Sequence, residues 1–394
     1  MLSENRLVEQ PRPPCWQTFT ALPRALGEPS IRCRLRMYPE DFVVDEELAF
    51  GADGDGEHCL LRVRKTGANT EWTARRLASV AGVPAKAVGY AGLKDRHAVT
   101  KQWFSVQLGR RAEPNWGLLV ADGIEVLESY RHRRKLRRGV LAANRFSLLL
   151  RDVYGDLDAL AARIDRVSSQ GVPNYFGPQR FGRDQGNLYQ ADALFRGEPP
   201  RPAPARRHPS SSQGRSSRVS RHVKGLWLSA ARSQLFNEVL ARRVRQGDWR
   251  AALPGDRLAL SGSHSHFLAD SIDDAIRARV DSGDVQPTGP LFGAGDALTS
   301  GEVAALEADV AAAFPDWIKG LAAADLKQER RPLQLLPEGL FLEQVATDQV
   351  RLRFKLPAGS YATALLRELA DWSDTIEVHS GETHSGHIRA PVSD

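Results

Sequence analysis

The segment "GYAGLKDRHAVTKQWFS", residues 89–105, holds Asp95 between Lys94 and Arg96, with His97 next and large apolar residues on both sides. Its reading decides the fold, because it is strand, loop and strand in one short run. "AVGYAG" (87–92) is a short strand candidate. Beyond the loop, Phe104, Val106 and Leu108 alternate with polar positions, the period of a half-buried strand. Asp95 is therefore expected in a loop between two strands, where a rigid sheet commonly presents functional side chains. Positive charge nearby favours the ionised form of a carboxylate. Such an Asp can be a nucleophile, a general base or a salt-bridge partner. Tyr90, Trp103 and Phe104 imply a packed environment, which weighs against a plain surface ion pair.

Outward from this loop, "EDFVVDEELAFGADGDGEHCLLRVRKTG" (40–67) reads as a β-hairpin, with apolar runs at 42–44 and 60–63 around a Gly/Asp turn region. Its acidic turn is not an EF-hand: with Asp53 at position 1, position 12 is Arg64 rather than Glu. "NTEWTARRLASVAG" (69–82) predicts a helix capped by Asn69 or Thr70, with Ala74, Leu77, Ala78 and Ala81 on one face. "NRFSLLLRDV" (144–153) predicts a strand and "DLDALAARIDRVSSQG" (156–171) a helix. A Pro/Gly-broken stretch follows at 172–187. Residues 199–224 are Pro/Ser/Arg-rich and expected to be a disordered basic loop, after which 225–247 resumes a helix. Near the end, Val350, Leu352 and Phe354 face one side of a strand and Arg351, Arg353 and Lys355 the other. Ser360 is the expected N-cap of the last helix. This mixture predicts an α+β fold.

The chain has 394 residues, more than one core usually organises, so two domains are expected. No run approaches the ~20 apolar residues of a membrane helix, and the N-terminal stretch has no apolar signal core. Cys15, Cys33 and Cys59 are widely spaced, with no CxxC pair, which supports neither a zinc site nor a disulfide framework and suits the cytoplasm. GxSxG, HExxH, Walker A and deaminase signatures are absent. The tail histidines His379, His384 and His387 read as incidental. Net charge is +6, but it clusters: "RHRRKLRR" (131–138) has six Lys/Arg in eight residues, and 201–224 carries seven with no acid. Such clusters attract polyanions.

Five strings then go beyond composition: "AGLKDRHAVTKQW" (91–103), "GVPNYFGPQRFG" (171–182), "LPAGSYATALLREL" (356–369), "PEDFVVDEEL" (39–48) and "RHRRKLRRGVLAANRF" (131–146). In their order along the chain and in register they resemble the signatures of the tRNA pseudouridine synthase D (TruD) family, over most of the chain from about Arg36. The resemblance implies a pseudouridine synthase fold, a mixed and largely antiparallel sheet flanked by helices, with an inserted second TRUD-type domain. It implies a catalytic domain of 1–170 and 336–394 around an insertion of 171–335.

The resemblance further implies conversion of uridine-13 in tRNA to pseudouridine by a cytoplasmic monomer, with no metal or other cofactor and no protein partner. Asp95 would be the nucleophile. Phe42, Asn144 and Tyr361 carry over as substrate contacts, with Phe146 a further stacking ring. Tyr361 departs from the Phe usual in that block. Lys94 or Arg36 would pair with Asp95 or bind phosphate. The RNA backbone would meet Arg133, Arg134, Lys135 and Arg137, and the basic face of 350–355. An Asp-dependent base-exchange or N-glycosidic enzyme on RNA, or a non-catalytic RNA-binding protein, are the alternatives.

Overall fold

In the computed structural model, which describes residues 15–200, 219–263 and 265–374, ten strands form one mixed sheet. They are β1 (Arg32–Leu35), β2 (Phe42–Leu48), β3 (His58–Thr66), β4 (Val88–Tyr90), β5 (Val99–Gln107), β6 (Ile124–His132), β7 (Leu141–Tyr154), β8 (Glu338–Ala346), β9 (Gln349–Pro357) and β10 (Asp371–Asp374). Seven follow the order β8-β9-β7-β2-β5-β3-β6, while β1 pairs with β7 and β10, and β4 with β5. Three helices serve this sheet: α1 (Thr70–Val80), α2 (Leu157–Gln170) and α3 (Ala362–Leu369). The side chain of Asn69 caps α1 by accepting from the Trp72 amide. Tyr361, not Ser360, occupies the cap position of α3, and among the described residues no side-chain hydrogen bond caps that helix.

The expected 40–67 hairpin does not form. Both strands exist, but β5 lies between them, parallel to β2 and antiparallel to β3. The long Gly/Asp connection is unlike the two- to five-residue loops that hold hairpins together. In addition, β5 buries Thr100, Gln102, Phe104, Ser105 and Val106, so it needs partners on both edges.

Strand register sorts the faces. Val44 pairs with Phe146 and Thr100, Phe146 with Phe354, and Leu61 with Phe104, so these side chains share one face. Two apolar cores cover it. One joins Phe42, Leu148, Leu352 and Leu356 to Leu160 and Ile164 of α2 and to Leu365, Leu366 and Leu369 of α3. The other joins Leu61, Val63, Phe104 and Val106 to Ala74, Leu77 and Ala78 of α1.

Contacts divide the described residues into two units: 26–172 with 335–374, and 15–25 with the described residues of 173–334. Residues 15–25 thus differ from the expected grouping with the sheet. Trp16 donates to Gln185 and packs its ring 5.3 Å from that of Trp317, and Gln17 is held by Glu238. The second unit carries a four-stranded antiparallel sheet, in order His266–Ala269, Asp256–Leu260, Val285–Leu291 and Glu329–Pro332, and the long helix Arg221–Gln246. That helix, capped by Ser220, claims the end of the segment expected to be disordered. Residues 201–218 and the tail histidines lie outside the described residues. Asn174, Tyr175 and Phe176 are core residues of this unit. Asn237 clamps the Phe176 backbone at 2.8 and 3.0 Å.

Among the described residues, no helix is long and apolar enough to cross a membrane, and no group of three or more His, Cys, Asp or Glu could hold a metal ion. All three cysteines are free.

Candidate active site

Between the two apolar cores the same sheet face turns polar. Lys65 pairs with Thr100, Val63 with Gln102, and Glu46 with Asn144, all in phase with the core residues. Lys65, Thr100, Gln102, Glu46 and Asn144 are all buried. Buried polar groups need partners, and here the 91–98 loop supplies several. The Gln102 amide donates to the Gly92 carbonyl at 2.7 Å, and the Lys94 amide to the Thr70 hydroxyl at 3.0 Å. Lys65 donates to the carbonyls of Ala68, at 2.6 Å, and of Asp95 itself, at 3.1 Å. Burial pushes the Lys65 ammonium down to about 8, against the pull of the Asp95 charge.

Asp95 sits on this seam with its carboxylate partly exposed. Its Oδ2 accepts from Arg36 Nη1 at 2.6 Å and its Oδ1 from the His97 amide at 3.2 Å. Arg36 is buried, lies 5.4 Å over the Phe42 ring and also binds Asp374. Its φ of 58° places a non-glycine residue in the left-handed region, a conformation that costs about 1–2 kcal/mol. The turn aims the guanidinium back between two acids.

Of the two bases that competed for Asp95, Arg36 therefore makes the pair. Lys94 turns away, placing its Nζ 2.8 Å from Glu46 Oε1 and 2.8 Å from Asn144 Oδ1. Burial pushes the Glu46 carboxyl up, and the Lys94 charge opposes that shift. Because an ammonium only donates, Asn144 must present its oxygen to Lys94, which leaves its amide NH2 as the outward donor.

The aromatic residues group nearby in register. Phe146 stacks on Phe354 at 5.1 Å and meets Phe42 edge-on at 6.2 Å. Phe42 is buried under Arg36, whereas Phe146 and Tyr361 keep some exposed surface. Tyr361 follows β9, whose Leu356 pairs with Asn144.

The basic residues divide. Arg133 is tied to Asp55 at 2.8 and 3.0 Å, and Lys135 donates to the Lys86 carbonyl at 2.5 Å. Arg134 and Arg137 are exposed and line a cavity of about 830 Å³. The basic row of β9 is not part of this surface. Lys355 pairs in register with Arg145, one residue out of phase with the Leu356–Asn144 pair, so it occupies the opposite face from Asp95. Acids there match the row: Glu343 beside Arg351 and Arg353, Glu338 and Glu47 beside Lys355. A charge-balanced face gives RNA little to attract it.

Sequence reasoning missed Glu46, Lys65, Thr70 and Gln102. For Glu46 and Lys65 the signal was present, since each falls on an inward position whose inward neighbours on the strand are apolar, as in Leu61, Val63, Lys65.

The family model described as tRNA pseudouridine synthase D (TruD) matches residues 23–201 and 204–369. The tRNA pseudouridine synthase D of Methylococcus capsulatus is 46% identical over 362 residues, 91% of this chain and 98% of the relative. That of Nitrosococcus oceani is 45% identical, covering 89% of this chain and 94% of its own. A crystal structure assigned to tRNA pseudouridine synthase D from Methanosarcina mazei superposes with a TM-score of 0.62 at 20% identity, over 88% of this chain and 95% of that one. The shared sheet architecture and the near-complete match of sequence agree: this chain is a member of the tRNA pseudouridine synthase D (TruD) family.

Proposed function

We propose that the protein isomerises uridine-13 of tRNA to pseudouridine in the cytoplasm, with Asp95 as the catalytic carboxylate and no metal or cofactor. The observation that carries this reading is the Arg36–Asp95 pair on the polar seam, beside the Lys94–Asn144 pair and the partly buried Phe146 ring. The target uridine leaves its stack at a cost of a few kcal/mol. Stacking on Phe146 and Tyr361 offsets that by ~1–3 kcal/mol per base. The outward amide of Asn144 donates to a uracil carbonyl, and Phe42 backs Arg36.

Asp95 then acts on the ribose, either by attacking the anomeric carbon or by taking a sugar proton. The bond from N1 to the anomeric carbon breaks, the uracil turns, and C5 bonds to that carbon. The C5 proton is lost and N1 gains one, so the RNA keeps its mass. Arg36 orients the carboxylate through both events.

The test is incubation of purified protein with an unmodified tRNA transcript, without added metal or cofactor. Pseudouridine at position 13 with unchanged RNA mass supports the reading. A mass change points to base exchange, base loss to an N-glycosidic enzyme, and binding without product to a non-catalytic RNA-binding protein.

A further inference from the structure

Resting on that reading, we propose that the cavity lined by Phe50, His132, Arg134 and Arg137 holds a second nucleotide of the tRNA, separate from the target uridine. Its base would stack on Phe50 and its phosphates would lie against the two arginines.

The platform is built rather than incidental. Phe50 is 39% exposed, yet its ring lies flat on His132, 5.3 Å between centroids and 11° from parallel. His132 is buried with its Nδ1 2.8 Å from Asp53 Oδ2, and Asp53 accepts from the Arg133 amide at 2.9 Å. The rest of the 131–140 loop is anchored too. Leu136 is buried and its amide donates to the Ser105 hydroxyl at 2.8 Å, while the Ala49 amide reaches the Val140 carbonyl beside Phe50. A large aromatic held this way at the surface loses little freedom when a base stacks on it.

Charge selects the occupant. Arg133 and Lys135 are engaged within the protein, as described above. Arg134 and Arg137 have no ion-pair partner among the described residues and project from the same rigid loop. This contrasts with the β9 row, where Arg351, Arg353 and Lys355 all face acids. Asp53 also lines the cavity and feels the Arg134 charge, but two exposed arginines outnumber it, and beside an exposed ring they suit a polyanion with π-faces, the chemistry of single-stranded nucleic acid.

Position links the cavity to the catalytic site. Gly139, on the cavity loop, donates its amide to the Ala91 carbonyl, and a Cβ at Gly92 would touch Leu141. Ala91 lies four residues before Asp95, so the intervening chain spans at most about 14 Å. One RNA strand can therefore meet both places, which would fix the register of the target uridine.

The experiment measures binding of an unmodified tRNA transcript, by anisotropy over a salt series, for the full-length wild type, Phe50→Ala, Phe50→Trp and the double variant Arg134→Ala/Arg137→Ala. Phe50→Ala should bind roughly tenfold more weakly with an unchanged salt slope, and Phe50→Trp should restore affinity. The double variant should flatten the slope of log K against log salt by about 1.4, the single-strand value for two phosphates. Phe50→Ala binding within twofold of wild type, or an unchanged slope in the double variant, overturns the second site. Wild type that neither binds nor modifies the transcript overturns the proposed function itself, so the two failures are distinct. Circular dichroism of each variant checks that a loss is not unfolding, and rescue by Phe50→Trp excludes it independently.

Discussion

Replacing Arg36 by Met removes the guanidinium shared by Asp95 and Asp374 while keeping an apolar stem against Phe42. The two halves of this loss differ. Arg36 and Asp374 have side chains only 8% and 4% exposed, whereas the Asp95 side chain is 30% exposed. Removing one partner of a buried pair typically costs 3–5 kcal/mol. The Asp95 half is solvent-screened and adds little. The expected destabilisation is therefore about 3 kcal/mol, almost all from Asp374, or a fall in Tm of roughly 6–12 °C. The catalytic effect comes from the other half. Without Arg36 the Asp95 carboxylate keeps, among the described residues, only the His97 amide, and a misplacement of about 1 Å can lower turnover 10²-fold. Release of tritium from C5-labelled uridine in a tRNA transcript, assayed at 20 °C where the variant remains folded, reads kcat and KM separately. We expect kcat to fall about 10²-fold with a small change in KM, and Arg36→Lys to recover part of it through a single point charge. Arg36→Met turnover within threefold of wild type would refute the claim that this pair orients the carboxylate.

Buried Lys65 and the nearly buried Lys94 give further predictions. The folded-state value of Lys65 is depressed to about 8, so the unfolded chain binds the extra proton between about pH 8 and the ordinary lysine range, and stability rises with pH across that window. Below pH 8 the folded chain bears the full penalty, roughly 3 kcal/mol. Denaturant melts at pH 7.5 and 9.5 should show this rise in wild type and lose it in Lys65→Met. That variant should also be slower, because the Asp95 carbonyl loses its donor; equal pH slopes would remove the assignment. Lys94→Met leaves Glu46 buried without its cation and should cost about 3 kcal/mol. Adding Glu46→Gln should recover most of that stability but not the activity, since Asn144 stays unoriented. Additive losses in a double-mutant cycle would contradict the coupling.

The reach of sequence reading differed from place to place, for physical reasons. The Asp95 loop was legible because its flanking strands have period-2 patterns and because "GLKD" belongs to a long, unusual string. The same periodicity could not say which strands are neighbours. Pairing β2 with β3 followed from adjacency in sequence, but β5 is buried on both edges and enters between them. Partner choice was also beyond reach. Lys94 is adjacent to Asp95 yet points to Glu46 and Asn144, because successive residues of an extended loop project in different directions. Arg36 lies far away in sequence and reaches Asp95 from a left-handed backbone position. The basic row on β9 looked like an RNA-facing surface because its acidic partners sit on β2 and β8, invisible to a local window.

The most direct test of the central claim is Asp95→Asn, an exchange that keeps the size of the side chain and removes its charge. Filter binding of a tRNA transcript and chemical mapping of pseudouridine should be run on the same preparation. The account predicts binding close to wild type and no detectable pseudouridine at position 13. Full modification by Asp95→Asn would contradict it.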